Sequence, residues 1–69
     1  MRSLKFAERL IELRKEKGLS QRKFAQRFNV SKSTVSMWEI GKNIPDLYML
    51  IDIAKFFDVS TDDLLGILD

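Results

Sequence analysis

Between Lys32 and Met37 the chain gathers one ammonium, three hydroxyls and a thioether into six residues. Hydroxyls both donate and accept hydrogen bonds, an ammonium only donates, and a thioether is a soft apolar group with a very weak acceptor. That set suits recognition of a polar, negatively charged surface better than bond-breaking. The chain's one tryptophan, Trp38, stands at the end of this polar run. If the segment after Ser31 is a helix, Val35 and Trp38 are three residues apart and share a face, which would be buried. Counting about 100° per residue, Ser33, Ser36, Met37 and Ile40 fall roughly opposite, with Lys32 and Thr34 on the flanks. The outward side is short, mostly polar and free to touch a partner.

Other chemistries find little support. The 69 residues include no His and no Cys, so the commonest general base and the best nucleophile are missing, and no Gly-rich phosphate loop occurs. An enzyme is not expected. Without Cys there is neither a disulfide framework nor a thiolate zinc site. Adjacent Asp62 and Asp63 can suggest a metal site, but two carboxylates in a first helical turn are better read as charges stabilised by the helix dipole, and divalent cations need more converging oxygens. No metal and no cofactor are expected. The apolar runs are short, and residues 1–20 contain no apolar stretch ending in a small-residue cleavage site. These features predict a cytoplasmic protein with no membrane partner.

The elements that would hold the polar run in place are legible from start and stop signals. A chain of this size supports one small core, so residues 1–69 are treated as a single domain. Five helices and no strand are predicted. The first runs from Ser3 to Lys17, with Phe6, Leu10, Leu13 and Arg14 on one stripe and Gly18 ending it. Ser20 caps a second helix, Gln21 to Phe28, whose Phe24, Ala25 and Phe28 face inward. Asn29, tolerant of the left-handed conformation, makes an abrupt turn before Ser31 caps the third helix, which stops at Gly41. Neither serine has Glu or Gln three residues on, so the reciprocal capping box is absent. Pro45 and Asp46 open a fourth helix with Leu47, Leu50, Ile53, Ala54 and Phe57 as its apolar stripe. Val59 joins the same core, and Ser60 caps a last short helix. Leu64, Leu65, Ile67 and Leu68 there exceed what a terminal helix needs for its own packing.

Charge is divided along the chain. Residues 1–44 carry 11 Lys and Arg against 4 Glu, a net +7, whereas residues 45–69 carry one Lys against 6 Asp, a net −5. Such a segregated field draws a polyanion to one side. Two short helices joined by a turn, at about residues 21–40, make a helix-turn-helix. The second is thin enough, its side chains being small, for a DNA major groove about 12 Å wide.

The stretch "LSQRKFAQRFNVSKSTVSMWEIGKNIPD" resembles the helix-turn-helix of Xre and Cro/CI phage-repressor-type transcriptional regulators, and the likeness covers nearly the whole chain. The matching residues are Arg14, Gly18, Leu19, Gln21, Ala25, Val30, Ser31, Val35, Trp38, Glu39, Gly41, Pro45 and the later "IAKFFDVSTDDLL". The resemblance implies an all-α, five-helix, lambda-repressor-like fold and a sequence-specific double-stranded DNA-binding regulator, a repressor, of bacterial or phage origin. It implies that Gln21 bonds phosphate and steadies the recognition helix. Lys32, Ser33, Thr34, Ser36 and Met37 match positions facing the major groove, and Ser31, Lys42 and Asn43 match positions near phosphates. Asn29 replaces the turn glycine common in the family. Met37 stands where a long polar or basic side chain is usual.

Three further expectations complete this reading. Arg14 and Glu39, at the inner edges of the first and third helices, should form a partly buried structural ion pair. Trp38 should anchor the recognition helix against Val35, Ala25 and the first helix, although an exposed Trp on a basic surface can instead stack on bases. A homodimer with half-sites about 34 Å apart is expected, with Leu65, Ile67 and Leu68 as candidates for its contact, and no small-molecule effector is evident. The alternative is a protein-binding antitoxin or adaptor on the same fold, for which Met37 and Ile40 would be a short pair of apolar anchors.

Overall fold

The computed structural model describes residues 5–67. Five helices follow in order: α1 (Phe6–Glu16), α2 (Gln21–Arg27), α3 (Lys32–Glu39), α4 (Leu47–Phe57) and α5 (Thr61–Leu65). Among the described residues there is no strand. The expected start at Ser3 lies outside the described residues. Elsewhere the helices end one or two residues short of the expected limits, because Lys17, Phe28 and Ile40 serve as C-caps.

Four helix starts are closed by the side chains that the sequence nominates. The Ser20, Ser31 and Ser60 hydroxyls accept the backbone N–H of Lys23, Thr34 and Asp63, each at 3.0 Å, and an Asp46 carboxylate oxygen accepts that of Met49 at 2.9 Å. Each cap satisfies a donor that the helix itself leaves unpaired. Asn29 takes φ 56°, as its place in the turn requires. Asp58 does the same at the end of α4, with φ 57°, a left-handed cap that no glycine in the sequence advertises.

The core is one buried cluster drawn from every helix: Phe6, Leu10 and Leu13 of α1, Phe24 and Ala25 of α2, Val35 and Trp38 of α3, Leu50, Ile53, Ala54 and Phe57 of α4, and Leu64 of α5. Leu19, Phe28, Val30, Val59 and Leu65 pack against its edge. One expected core residue is not in it. Leu47 is 66% exposed, because it lies in the first turn of α4, one turn N-terminal of Leu50, where the stripe has run past the end of the core.

Two arrangements set the position of α2 and α5. The Phe24 ring stacks on Phe57 with centroids 5.6 Å apart, and Phe28 meets Phe56 edge-on at 5.3 Å, locking α2 to α4. Arg27 lies over both the Phe28 and Phe56 rings, at 5.3 and 5.1 Å. At the other end Arg9 grips Asp63 with two hydrogen bonds of 3.0 Å, and the Lys5 N–H donates to the Leu65 carbonyl, so α5 is clasped to α1. The Arg9 hydrogen bonds hold the Asp63 carboxyl below the usual aspartate range, and the same contact raises the guanidinium.

Candidate nucleic-acid interface

Helix α3 begins at a serine whose hydroxyl is already engaged. Ser31 Oγ accepts the Thr34 N–H and shares a second hydrogen bond of 2.9 Å with Thr34 Oγ1. The eight-residue α3 that follows is shorter than helices stable alone in water, so its orientation depends on what it packs against. Val35 is completely buried and Trp38 is 5% exposed, which fixes the inner face. A ring so covered cannot stack on bases. Trp38 is an anchor.

Beside it lies the ion pair. Arg14 Nε donates to Glu39 Oε2 at 2.7 Å and Arg14 Nη2 to Glu39 Oε1 at 3.0 Å, the two-pronged geometry that favours Arg over Lys. Arg14 Nη1 donates to the Leu19 carbonyl at 2.7 Å, and Gln21 Nε2 to Glu39 Oε1 at 2.9 Å. Both charged side chains are at least nine-tenths covered. No described buried side-chain nitrogen or oxygen lacks a partner. The network ties α1, the turn before α2, the first residue of α2 and the last of α3 into one unit. Gln21 is thereby joined through Glu39 to the last residue of α3, and its amide has a second N–H with which to donate.

The outward face carries the other expected residues unevenly. Lys32, Ser33 and Met37 are exposed on α3, and Lys42 and Asn43 are exposed just beyond it. Ser31 is exposed too, with its hydroxyl turned to Thr34. Thr34 is half-buried at a flank as expected, and Ser36, expected on the outward side, is half-buried too, because as a neighbour of Val35 it stands only about 100° round the helix from the buried face. Ser33, Met37 and Ile40 are spaced i, i+4, i+7 and form one continuous exposed stripe. Glu39, the only acidic residue between Lys32 and Asn43, is turned inward against Arg14.

Some of this surface has no counterpart in the sequence expectations. Arg22 and Lys23 are exposed in the first turn of α2. Beyond Ile40, which is exposed as expected, Ile44, Leu47 and Tyr48 are also exposed between the end of α3 and the first turn of α4, Tyr48 reaching 80% exposure. Period counting can identify Ile40 as outward, but it cannot show that the loop and first turn of α4 extend past the core. Of the expected dimer-contact residues, Leu65 is partly covered by the core and Ile67 is half-buried, while Leu68 lies outside the described residues.

Five short helices, the second and third joined by a tight turn with one inward and one outward face on the third, define a helix-turn-helix protein. The helix-turn-helix family model matches residues 10–64. The chain is 42% identical over 63 residues to the HTH-type transcriptional activator BcrR of Enterococcus faecalis, an alignment covering 91% of this chain and 31% of that protein. It is 41% identical over 59 residues to the HTH-type transcriptional regulator AnsR of Bacillus subtilis, covering 86% of this chain and 51% of AnsR. The crystal structure of a transcriptional regulator from Listeria innocua superposes with a TM-score of 0.91 at 37% identity, covering 99% of this chain and 64% of that one. The chain belongs to the Xre and Cro/CI-type helix-turn-helix family. It spans from under a third to a little over half of the length of these curated relatives.

Proposed function

We propose that this chain is a transcription regulator that binds double-stranded DNA by inserting α3 into the major groove. The carrying observation is the exposed stripe of α3, rigidly backed by the Arg14–Glu39 pair, with exposed Lys32 and Lys42 at its two ends and no carboxylate on its outer side. Ser33, Met37, Lys32 and the flanking Thr34 and Ser36 meet base edges. Gln21, Ser31, Lys42 and Asn43 meet phosphates. The sense of regulation is repression, by occupying a promoter.

The regulator acts as a homodimer on a twofold-symmetric site. A domain with extents of 32 × 24 × 21 Å placed on successive major grooves, about 34 Å apart, brings two copies within contact. The end of α5, with Leu65 and Ile67, is the surface for that contact. The rival reading, a protein-binding antitoxin or adaptor, draws on the exposed Ile44, Leu47 and Tyr48, which a protein partner would cover.

Selection of bound sequences from random duplexes, at two salt concentrations, tests the reading. A twofold consensus is expected. Lys42→Ala should weaken all sequences alike and reduce the slope of log affinity against log salt by about one, while Met37→Gln should change one base preference per half-site. Absence of any duplex binding would overturn DNA recognition. A reporter whose expression rises with the chain would overturn repression alone.

A further inference from the structure

The outward stripe of α3 is divided along its length. Lys32 and Ser33 occupy its N-terminal end, where an ammonium and a hydroxyl can bond to acceptor and donor edges. Met37 and Ile40 occupy its C-terminal end, 38% and 66% exposed, with no polar side chain on the stripe between them. Ser33 to Ile40 is seven residues, about 10 Å along a helix axis, which is about three base steps at roughly 3.4 Å each. The stripe therefore presents hydrogen-bonding chemistry to one step and apolar surface to the neighbouring ones.

In the major groove the one apolar group on a base edge is the 5-methyl of thymine. We infer that Met37 and Ile40 together select thymine, each by packing on a 5-methyl group, at positions two to three base pairs from the step read by Lys32 and Ser33. This rests on the proposed DNA-binding reading and goes beyond it by giving Ile40 a role in specificity and by fixing the order of chemistry along the half-site. Charge favours DNA as the occupant of this apolar end over a second copy of the chain. Lys32 and Lys42 bracket the stripe, and the one carboxylate of the segment is withdrawn into the pair with Arg14.

The test replaces each thymidine of a selected operator with deoxyuridine, which removes the methyl and leaves every hydrogen-bonding group. Affinity should fall roughly fourfold per half-site at each contacted position, the equivalent of leaving one methyl-sized group unburied. Met37→Ala should abolish the penalty at one position and Ile40→Ala at another. Ser33→Ala should lower affinity and keep both penalties. Specific binding with deoxyuridine tolerated at every position overturns the inference while leaving DNA recognition intact. Penalties unchanged in both alanine variants also overturn it, and an accompanying shift from dimer to monomer in Ile40→Ala would assign this end of the stripe to a second copy instead. Failure to bind any duplex overturns both the inference and the reading on which it rests.

Discussion

Removing one partner of the Arg14–Glu39 pair should cost more than removing both. In Glu39→Leu the Arg14 guanidinium keeps its bond to the Leu19 carbonyl but loses those from Nε and Nη2, in a place that leaves at most a tenth of the side chain in contact with water. Stranding a buried charge in this way costs about 3–5 kcal/mol. A domain of this length has a total of roughly 3–10 kcal/mol to lose, so either single variant, Glu39→Leu or Arg14→Met, should be at or near the unfolding threshold at room temperature. The double variant leaves apolar groups facing each other. Its remaining penalty is an unpaired Leu19 carbonyl and a Gln21 amide without its acceptor, about 1–3 kcal/mol each when buried. Part of that is recovered by packing and by water reaching the half-buried Gln21. Urea unfolding followed by Trp38 fluorescence, the ring lying in the core next to the pair, reads all four proteins. A coupling energy above about 2 kcal/mol is expected. If the losses of the single variants add to that of the double within about 0.5 kcal/mol, the criterion for independent sites, the pair does not work as one unit and the reasoning fails.

The clasp between α1 and α5 gives an acid dependence with a definite sign. Arg9 depresses the Asp63 pKa in the folded state, so its stabilisation is complete above the unfolded aspartate value, near about pH 4, and disappears as pH falls through the lower folded value. Thermal unfolding of the parent should therefore fall more steeply below that pH than that of Asp63→Asn, and parallel curves would refute it. Gly66→Ala places a Cβ 2.6 Å from the Lys5 Cβ at φ +70°, so it should lose at least about 1–2 kcal/mol and speed hydrogen exchange at the Lys5 amide; an unchanged exchange rate would show that the clasp does not depend on close approach. Asp58→Gly, at φ 57°, should gain up to about 1 kcal/mol from relief of the left-handed strain, measured as a higher unfolding temperature.

What the sequence disclosed and what it withheld differ by the range of the interaction. Ser20, Ser31, Asp46 and Ser60 act on a backbone amide three residues away, so each could be identified without knowing the fold. The buried stripe of α1 was legible for the same reason. The Arg14–Glu39 contact spans 25 positions, and it was legible because both residues sit at the inner edge of strongly periodic helices. Arg9–Asp63 spans 54 positions and was not. Asp63 already had a sufficient local explanation in the dipole of α5, and nothing in periodicity distinguishes Arg9 from an ordinary solvated charge. Phe56 escaped for a related reason. It lies beside the α4 stripe, and its cover comes from Phe28, Arg27 and Lys17 on other elements. Leu47 failed in the opposite direction, having the right spacing for burial but no neighbour at that height of the helix. The DNA-facing assignments came from the resemblance and from helix phase, which orient side chains but do not measure how far the stripe extends. Ile40 was legible as outward, but the exposure of Ile44, Leu47 and Tyr48 beyond it needed coordinates.

The division of labour in α3 follows from its shortness. An isolated helix of eight residues has too few internal hydrogen bonds to offset its nucleation, so nearly all of its order must come from the inward residues and from its cap. Val35, Trp38 and Glu39 supply that order through the core and the Arg14 network, and Ser31 closes the first turn. Ser33, Met37 and Ile40 contribute none of these contacts. Exposed substitutions away from such features usually change stability by no more than about 0.5 kcal/mol. The outward stripe is thus free to change its chemistry without loosening the helix that carries it, whereas the inward residues can change only together. Met37 and Ile40 lie outside the buried core and the Arg14 network, so the outward side of this segment can carry apolar residues at little cost to the helix that holds them.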